Sequence, residues 1–321
     1  MRVLVTGGAG FIGSHLCERL LADGHPVVAV DDLSTGSKAN LALVRRHPRF
    51  RFVEGSILDE RLTARLVANS DVVAHLAAAV GVMLIVQSPV RTIETNIRGT
   101  EVVLEAAAKR RAIVLLASSS EVYGKSTRIP FSEEDDAVLG PPTKGRWSYA
   151  VSKLVDEFLA LSYWKERGLP VVVARLFNTV GPRQTGRYGM VLPRFVEQGL
   201  RGRPISVFGD GRQTRCFAHV SDVVGALARL LRTRRARGQV VNVGSDEEIS
   251  IGALARLVRR KTGNRAAIRR IPYDRAYEEG FEDLRRRVPD LTRLRRLIGD
   301  RPLTGIEAIV DSVIADLRSR I

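Results

Sequence analysis

Arg2-Val-Leu-Val-Thr6 runs straight into Gly7-Gly8-Ala9-Gly10-Phe11-Ile12-Gly13. The first five residues form a short β-branched run, suited to a parallel strand buried on both faces. Ser14 to Ala22 then carries apolar residues at helical spacing. Strand, glycine loop and helix in that order are the context a dinucleotide fingerprint requires. Gly7 permits the tight turn, Gly10 lets backbone approach a pyrophosphate, and Gly13 lets helix pack close on strand. The diphosphate would sit on the helix N-terminus, where free amides and the helix dipole favour anions. A second strand, Val27 to Val30, ends in Asp31-Asp32, and Asp31 lies 18 residues past Gly13. That is close to the spacing of an acid that binds the adenine ribose. A carboxylate there repels a 2′-phosphate, so NAD is expected rather than NADP. An ordinary βα turn would explain the glycines alone, but not the glycines, strand, helix and acid together.

Working outward, strands are expected at 2–6, 27–31, 51–54, 72–76, 112–118 and 171–175, and helices near 11–22, 59–68, 90–109 and 147–167. Such alternation predicts an α/β protein with a Rossmann-type, doubly wound parallel sheet covered by helices on both faces. In such sheets ligands bind beyond the carboxyl ends of the strands. The glycine loop, Asp31, Ala77-Ala78-Ala79 and Ser118-Ser-Ser-Glu121 all fall at such ends. After residue 178, Pro and Gly become frequent, as in Gly181-Pro182, Gly186, Gly189 and Gly209-Asp-Gly211, which reads as a loop-rich substrate region. Helices return near 193–200, 221–233, 250–262 and 306–319.

Tyr149-Ala-Val-Ser-Lys153 lies about one helix length beyond Ser118–Glu121. A tyrosine and a lysine four apart share one face of a helix. An ammonium beside a phenol favours the phenolate, which can take a proton from an alcohol while hydride leaves the carbon. The hydroxyls of Ser118 to Ser120 are placed to hold that alcohol. Glu121 adds a carboxyl group that simple alcohol oxidation does not need. His15 and His75 read as packing or loop residues.

The chain has 321 residues, 45% of them hydrophobic, enough for a sizeable core in one large or two intimate domains. No run of about 18 apolar residues could span a membrane, and the sequence starts on its first strand, so a cytoplasmic location is expected. Two cysteines, Cys17 and Cys216, and no Cys/His cluster at ligand spacing speak against a metal site. The formal charge of +16 invites a nucleic-acid reading. Its arginines are spread along the chain, however, and no nucleic-acid-binding motif accompanies the runs at Arg229–Arg237 and Arg285–Arg287. No nucleic-acid partner is therefore expected.

Together these residues resemble the extended short-chain dehydrogenase/reductases, specifically the nucleotide-sugar epimerases, dehydratases and decarboxylases. The resemblance covers essentially the whole chain. It rests on Val5–Ser14, His75-Leu-Ala-Ala78, Thr95-Asn96-Ile-Arg-Gly99-Thr100, Tyr123-Gly124, Tyr149-x-x-x-Lys153 and Arg175-Leu-Phe-Asn178-x-x-Gly181-Pro182. Gly209-Asp-Gly211-x-Gln213-Thr-Arg215 and His219-Val-x-Asp222 follow. The resemblance implies an NAD-binding domain of residues 1–178 and 217–245, and a smaller α/β domain of residues 179–216 and 246–321 that holds a UDP-sugar. It also implies a homodimer formed through the helices near 90–109 and 147–167.

For the cofactor it implies Gly7, Gly10, Phe11, Ile12 and Gly13 in the loop. Asp31, Asp32, Ser34, Thr35 and Gly36 follow the second strand, and Ser56 and Ile57 the third. Leu76, Ala77, Ala78, Asn96 and Ser118 complete the cleft with Tyr149, Lys153, Phe177 and Val180. For the substrate it implies Val191 and Arg194, with Asn178 donating to phosphate, Phe208 packing on the uracil and Arg215 on the diphosphate.

Within the family the choice turns on few residues. Simple 4-epimerases generally place a small residue where Glu121 stands, and thymidine-diphosphoglucose dehydratases an Asp-Glu pair at the positions of Ser120 and Glu121. UDP-glucuronate decarboxylases carry Thr-Ser-Glu, which Ser119-Ser120-Glu121 matches with a conservative change. They also carry an Arg-x-Pro-Asp stretch, here Arg287-Val-Pro-Asp290 at the end of Gly280–Arg287. Against that pattern, Val80–Pro89 replaces the loop typical of xylose-forming enzymes. The expected reaction is oxidation of UDP-glucuronate at C4 followed by loss of CO2, giving UDP-xylose or the 4-keto pentose. Tyr149 and Lys153 would serve the oxidation with Ser119 on the C4 oxygen. Ser120 and Glu121 would position the carboxyl group, and Arg287 would steady the anion. UDP-sugar 4-epimerisation and 4,6-dehydration remain open. So do duller roles: Glu121 as a structural carboxylate, and Arg287 as part of a solvated basic run.

Overall fold

The computed structural model describes residues 1–79, 88–186, 190–272, 284–300 and 303–320. Most of the Val80–Pro89 stretch, Gly189 and the first residues of Gly280–Arg287 lie outside them. Among the described residues the central sheet has seven strands: β1 Val3–Thr6, β2 Val27–Asp31, β3 Phe50–Glu54, β4 Val72–His75, β5 Ile113–Ser119, β6 Val171–Leu176 and a later strand, β11, Gln239–Val243. Their order is β11-β6-β5-β4-β1-β2-β3, and every neighbouring pair is parallel. This is the doubly wound arrangement expected, with its order reversing beside β1. The expected strands and helices fall within one or two residues of the observed ones. β11 is the strand of this central sheet that the periodicity did not reveal. Gln239-Val-Val-Asn-Val243 is too short and too interrupted to declare itself, and its pairing to β6 is what makes it a strand.

Residue alternation explains the two-faced burial. Val3 and Val5 of β1, Leu115 of β5 and Val172 and Ala174 of β6 enter one core. It is shared with helix α1 (Phe11–Ala22) and helix α6 (Val220–Arg232). Their neighbours Leu4, Val114, Leu116, Val171 and Val173 enter the opposite core. That core is covered by α2 (Glu60–Ala68), α3 (Pro89–Arg110) and α4 (Trp147–Arg167). Period-two alternation with both faces apolar yields the continuous hydrophobic runs seen in the sequence.

A separate core joins α5 (Val191–Leu200), β8 (Ile205–Phe208), α7 (Ile251–Lys261) and α9 (Ile306–Arg318) through Phe195, Val207, Leu254 and Ile309. Short strands trim this region. β7 (Thr179–Val180) pairs with β10 (Ala218–His219), β9 (Thr214–Cys216) with β12 (Glu248–Ser250), and β8 with β13 (Ile268–Ile271). Helix α8 (Thr292–Ile298) lies against β11. No helix among the described residues is long and apolar enough to cross a membrane.

The turn from β1 to α1 sets the depth at which that helix rests. Gly7 has φ +67°, and a Cβ there would sit 2.8 Å from the Ala77 amide nitrogen. A Cβ on Gly13 would collide with the Gly7 carbonyl oxygen. Gly13→Ala is therefore expected to cost about 1–3 kcal/mol by overpacking and to weaken NAD binding, measured by urea unfolding and by NAD titration.

Candidate active site

A cavity of about 1320 Å³ opens at the carboxyl ends of β1, β2, β4, β5 and β6, and extends toward α5 and the loop after β8. Its walls include Gly7, Gly10, Phe11, Ile12 and Gly13, then Asp31, Asp32, Ser34 and Thr35. Ser56, Ile57, Leu76, Ala77 and Ala78 continue them, and Ser118, Glu121 and Tyr149 follow. Phe177, Asn178, Val180, Val191, Arg194, Phe208, Arg215 and Arg287 line the remainder. Gly36, Asn96, Ser119, Ser120 and Lys153 are not among the wall residues.

The nucleotide end fits NAD on the structure's own terms. The N-cap of α1 is Gly10, which brings no side chain to the helix end, and the first turn holds no acid, so its amides can receive an anion. Asp31 Oδ2 accepts from Ala9 N at 3.0 Å and Oδ1 from Leu33 N at 2.8 Å. The acid thus ties the glycine loop to the end of β2 while still facing the cavity. Burial raises its pKa, opposed by those backbone hydrogen bonds. Gly36 packs against the same carboxylate. Asn96 accepts from Ala79 N at 2.8 Å and donates to Ser152 Oγ at 3.0 Å, bracing the wall from α3.

At the end of β5 the serines divide. Ser118 Oγ donates to Glu157 Oε1 at 2.5 Å. That carboxylate also takes a forked pair from Arg175, with Nη2 to Oε2 at 2.7 Å and Nε to Oε1 at 3.0 Å. Ser118 is thereby committed to a buried ion pair that joins β5, β6 and α4. Ser119 favours ionisation of the Tyr149 phenol and accepts from Glu121 N at 3.2 Å. Ser120, expected to help position a substrate carboxyl group, is buried and off the wall.

Helix α4 ends cleanly at Gly168 in the left-handed region, φ +64°. It carries Tyr149, Lys153, Asp156 and Glu157 on its buried side. The expected partnership of Tyr149 with Lys153 takes a different form here. Lys153 Nζ donates to Asp156 Oδ2 at 2.7 Å, both side chains being almost fully buried. Burial pushes the Tyr149 pKa up, the Glu121 carboxylate pushes it further, and Asp156 adds to the rise against the pull of Ser119. These groups together favour the phenol form of Tyr149 over the phenolate. His75 packs between Thr6 Oγ1 at 2.8 Å and Thr100 Oγ1 at 3.2 Å. Burial, then Lys153, lowers its pKa to about 3. It is a neutral packing residue, as expected.

Glu121 is the electrostatic centre. Arg287 Nη1 donates to its Oε1 at 2.5 Å, and Arg146 Nη2 lies 3.6 Å from its Oε2. Burial works to raise the Glu121 pKa, but Arg287, then Arg146 and finally Arg215 outweigh it and hold the carboxyl below its ordinary range. Arg287 is buried against the partly exposed Glu121 and so is no member of a solvated run. Arg146, which sequence reasoning missed, stacks on Trp147 with 4.6 Å from guanidinium to ring centroid. Its signal was its position three residues before Tyr149, one helical turn away.

At the far end Asn178 Nδ2 donates to Cys216 O at 3.0 Å, linking β6 to β9. Arg215 is buried, with Nη1 donating to Thr214 O at 2.7 Å and Leu284 O at 2.9 Å. The Arg194 guanidinium lies 3.9 Å from the Phe208 ring centroid, making the stacking unit an Arg–Phe pair rather than Phe208 alone.

Because the folded-state pKa of Glu121 is depressed, its stabilising contribution is complete above the ordinary value of 4.5 and is lost as pH falls through the lower folded value. Glu121→Gln should therefore be less stable than the wild type at neutral pH. The gap should close in acid below that value, as measured by urea unfolding at stepped pH.

Comparison with known proteins places this geometry. Residues 3–244 match the family described as the NAD dependent epimerase/dehydratase family. A UDP-N-acetyl-alpha-D-glucosaminuronate decarboxylase from Bacillus cytotoxicus is 44% identical over 94% of this chain and 92% of its own length. UDP-glucuronic acid decarboxylase 1 of Xenopus tropicalis is 35% identical over 100% of this chain and 73% of its own. Among solved structures, a mutant UDP-glucuronic acid 4-epimerase from Bacillus cereus, in complex with UDP-4-deoxy-4-fluoro-glucuronic acid and NAD, superimposes with a TM-score of 0.88. It is 28% identical and covers 100% of both chains. With its parallel sheet, its glycine loop and its Tyr149–Lys153 helix at one sheet edge, the chain belongs to the NAD dependent epimerase/dehydratase family.

Proposed function

We propose that this protein decarboxylates a UDP-hexuronate after oxidising it at C4, with UDP-glucuronate as the substrate expected from the sequence. The observation that carries the reading is the set of three arginines, Arg146, Arg215 and Arg287, acting on one carboxylate, Glu121, beside Tyr149. Among the described residues, three guanidinium groups converge on this one carboxylate at the cavity wall. A diphosphate and a sugar carboxylate suit such a wall; a neutral hexose supplies only the first.

Bound NAD supplies the acceptor for the C4 hydrogen with its electron pair. Tyr149 takes the C4 hydroxyl proton, and Ser119 steadies the C4 oxygen. The resulting 4-ketone stands β to the carboxylate, so the C5–carboxyl bond breaks with its electron pair moving onto the ketone oxygen as an enolate. Arg287 and Arg146, oriented by Glu121, receive first the carboxylate and then the negative charge of the enolate. Protonation at C5 completes the 4-keto pentose. Asn178, Arg215 and the Arg194–Phe208 pair serve the UDP end. Residues 1–178 with 217–245 would form the cofactor half and residues 179–216 with 246–321 the substrate half.

A second substrate is favoured by one finding: the relative at 44% identity acts on the 2-acetamido uronate. Purified protein should be incubated with NAD and, in parallel, UDP-glucuronate and UDP-N-acetylglucosaminuronate, following CO2 release and product mass. Loss of CO2 from either substrate supports the reading. Retention of the uronate mass with inverted C4 would overturn it in favour of epimerisation. Arg287→Met should slow CO2 release by about a hundredfold, and Glu121→Gln should slow CO2 loss more than C4 oxidation. Equal loss of both steps would remove their carboxyl-specific roles.

The exposed face of the paired helices α3 and α4 supports a homodimer. Val90, Ile93, Val151, Val155 and Phe158 expose apolar surface there, Phe158 at 67%. Light scattering should report a dimer for the wild type and a monomer for Phe158→Asp.

A further inference from the structure

Asp156 takes no part in the steps above, yet no described acid of the site is more buried. It lies three residues beyond Lys153 and binds its ammonium at 2.7 Å through Oδ2. Thr100, from α3, favours the ionised form of the same carboxyl group. Thr100 also meets His75 Nε2 at 3.2 Å, and His75 Nδ1 meets Thr6 Oγ1 at 2.8 Å, which accepts from Ala77 N at 3.1 Å. A row of polar side chains therefore links Thr100 and His75 to the residues after β4, near the Lys153–Asp156 pair. Asp156 Oδ1 has no hydrogen-bond partner among the described residues.

A carboxylate this deep needs a reason, because desolvating it costs more than an apolar side chain would. Its partner is the lysine one helical turn from Tyr149. An ammonium in contact with a carboxylate acts at a distance as a dipole, whose field weakens faster than that of a lone charge. The support that Lys153 offers a phenolate is reduced accordingly.

We propose that Asp156 is a positioning residue of the oxidation step: it holds the Lys153 ammonium, divides its charge, and so sets the pH at which Tyr149 becomes a base. Other groups face the same site. Glu121, from the turn after β5, opposes the phenolate, and Arg146 and Arg287 temper Glu121. Ser119 supports the phenolate. Glu157 on α4 opposes ionisation of Asp156, Lys153 and Thr100 favour it, and neutral His75 adds no charge. The inference rests on the reading of Tyr149 as the base of a C4 oxidation.

The sign follows directly. Replacing Asp156 by asparagine removes a negative charge beside Lys153, so Tyr149 ionises at lower pH and the acid limb of the oxidation rate moves down with it. Two readouts test this. The ultraviolet phenolate titration of Asp156→Asn, corrected with Tyr149→Phe in each background, should shift to lower pH, giving about tenfold more phenolate at a fixed pH below the midpoint. The pH profile of single-turnover NAD reduction with UDP-glucuronate should shift the same way, and Asp156→Glu should restore the wild-type limb. An unchanged titration in a folded Asp156→Asn protein overturns the proposal. If that variant does not fold, Asp156→Ser, which also removes the negative charge beside Lys153, carries the test: a titration shifted to lower pH supports the proposal and an unshifted one overturns it. The titration needs no sugar. Inertness toward every UDP-uronate, with the titration still shifted, would therefore sink the proposed function and leave the role of Asp156 standing.

Discussion

Burying an ion without a partner costs several kcal/mol, and removing one member of a buried pair about 3–5 kcal/mol. That constraint organises the carboxyl edge of this sheet. Glu157 is acceptable beneath Ser118 because Arg175 reaches it in a fork from the neighbouring strand. Lys153 is acceptable in the helix interior because Asp156 meets it one turn on. Glu121 can stay ionised in the cavity because Arg287 arrives from a segment 166 residues away. Each pair joins different elements or successive turns, so compensating the charge also fixes the backbone around the cavity.

The apolar architecture explains why these charges gather where they do. β1, β5 and β6 send alternate residues into two cores, leaving neither face of the sheet open to water. Polar chemistry is confined to the strand ends, where backbone N–H groups and the N-terminus of α1 lie free of side-chain caps. The Gly7 and Gly13 contacts bring α1 down onto that edge. The second core, around Phe195 and Leu254, supplies the opposite wall with Arg194 and Phe208.

Most of the fold was legible in the sequence because its signals are local. β-branched runs, helical spacing and glycines in a loop act over a few residues, and the elements they mark were found within a turn of where they lie. β11 was missed for the opposite reason: its strand character comes from pairing with β6, sixty-seven positions earlier at Val172 and Gln239. The placement of Ser118, Ser119 and Ser120 could not be read either. Consecutive residues at a strand end point in different directions, and which hydroxyl meets Glu157, which meets Tyr149 and which is buried depends on α4.

By itself the sequence determined a doubly wound sheet with a glycine loop, an acid after β2 and a Tyr149–Lys153 helix, because each rests on backbone geometry or on spacing within one element. Only the tertiary structure decided the electrostatic surroundings of those residues. Whether Lys153 faces a phenol or a carboxylate, and whether Glu121 is a proton donor or an arginine-bound anion, follows from distances across elements and from the low polarity around them. Coulomb interactions and desolvation depend on those distances, not on position along the chain.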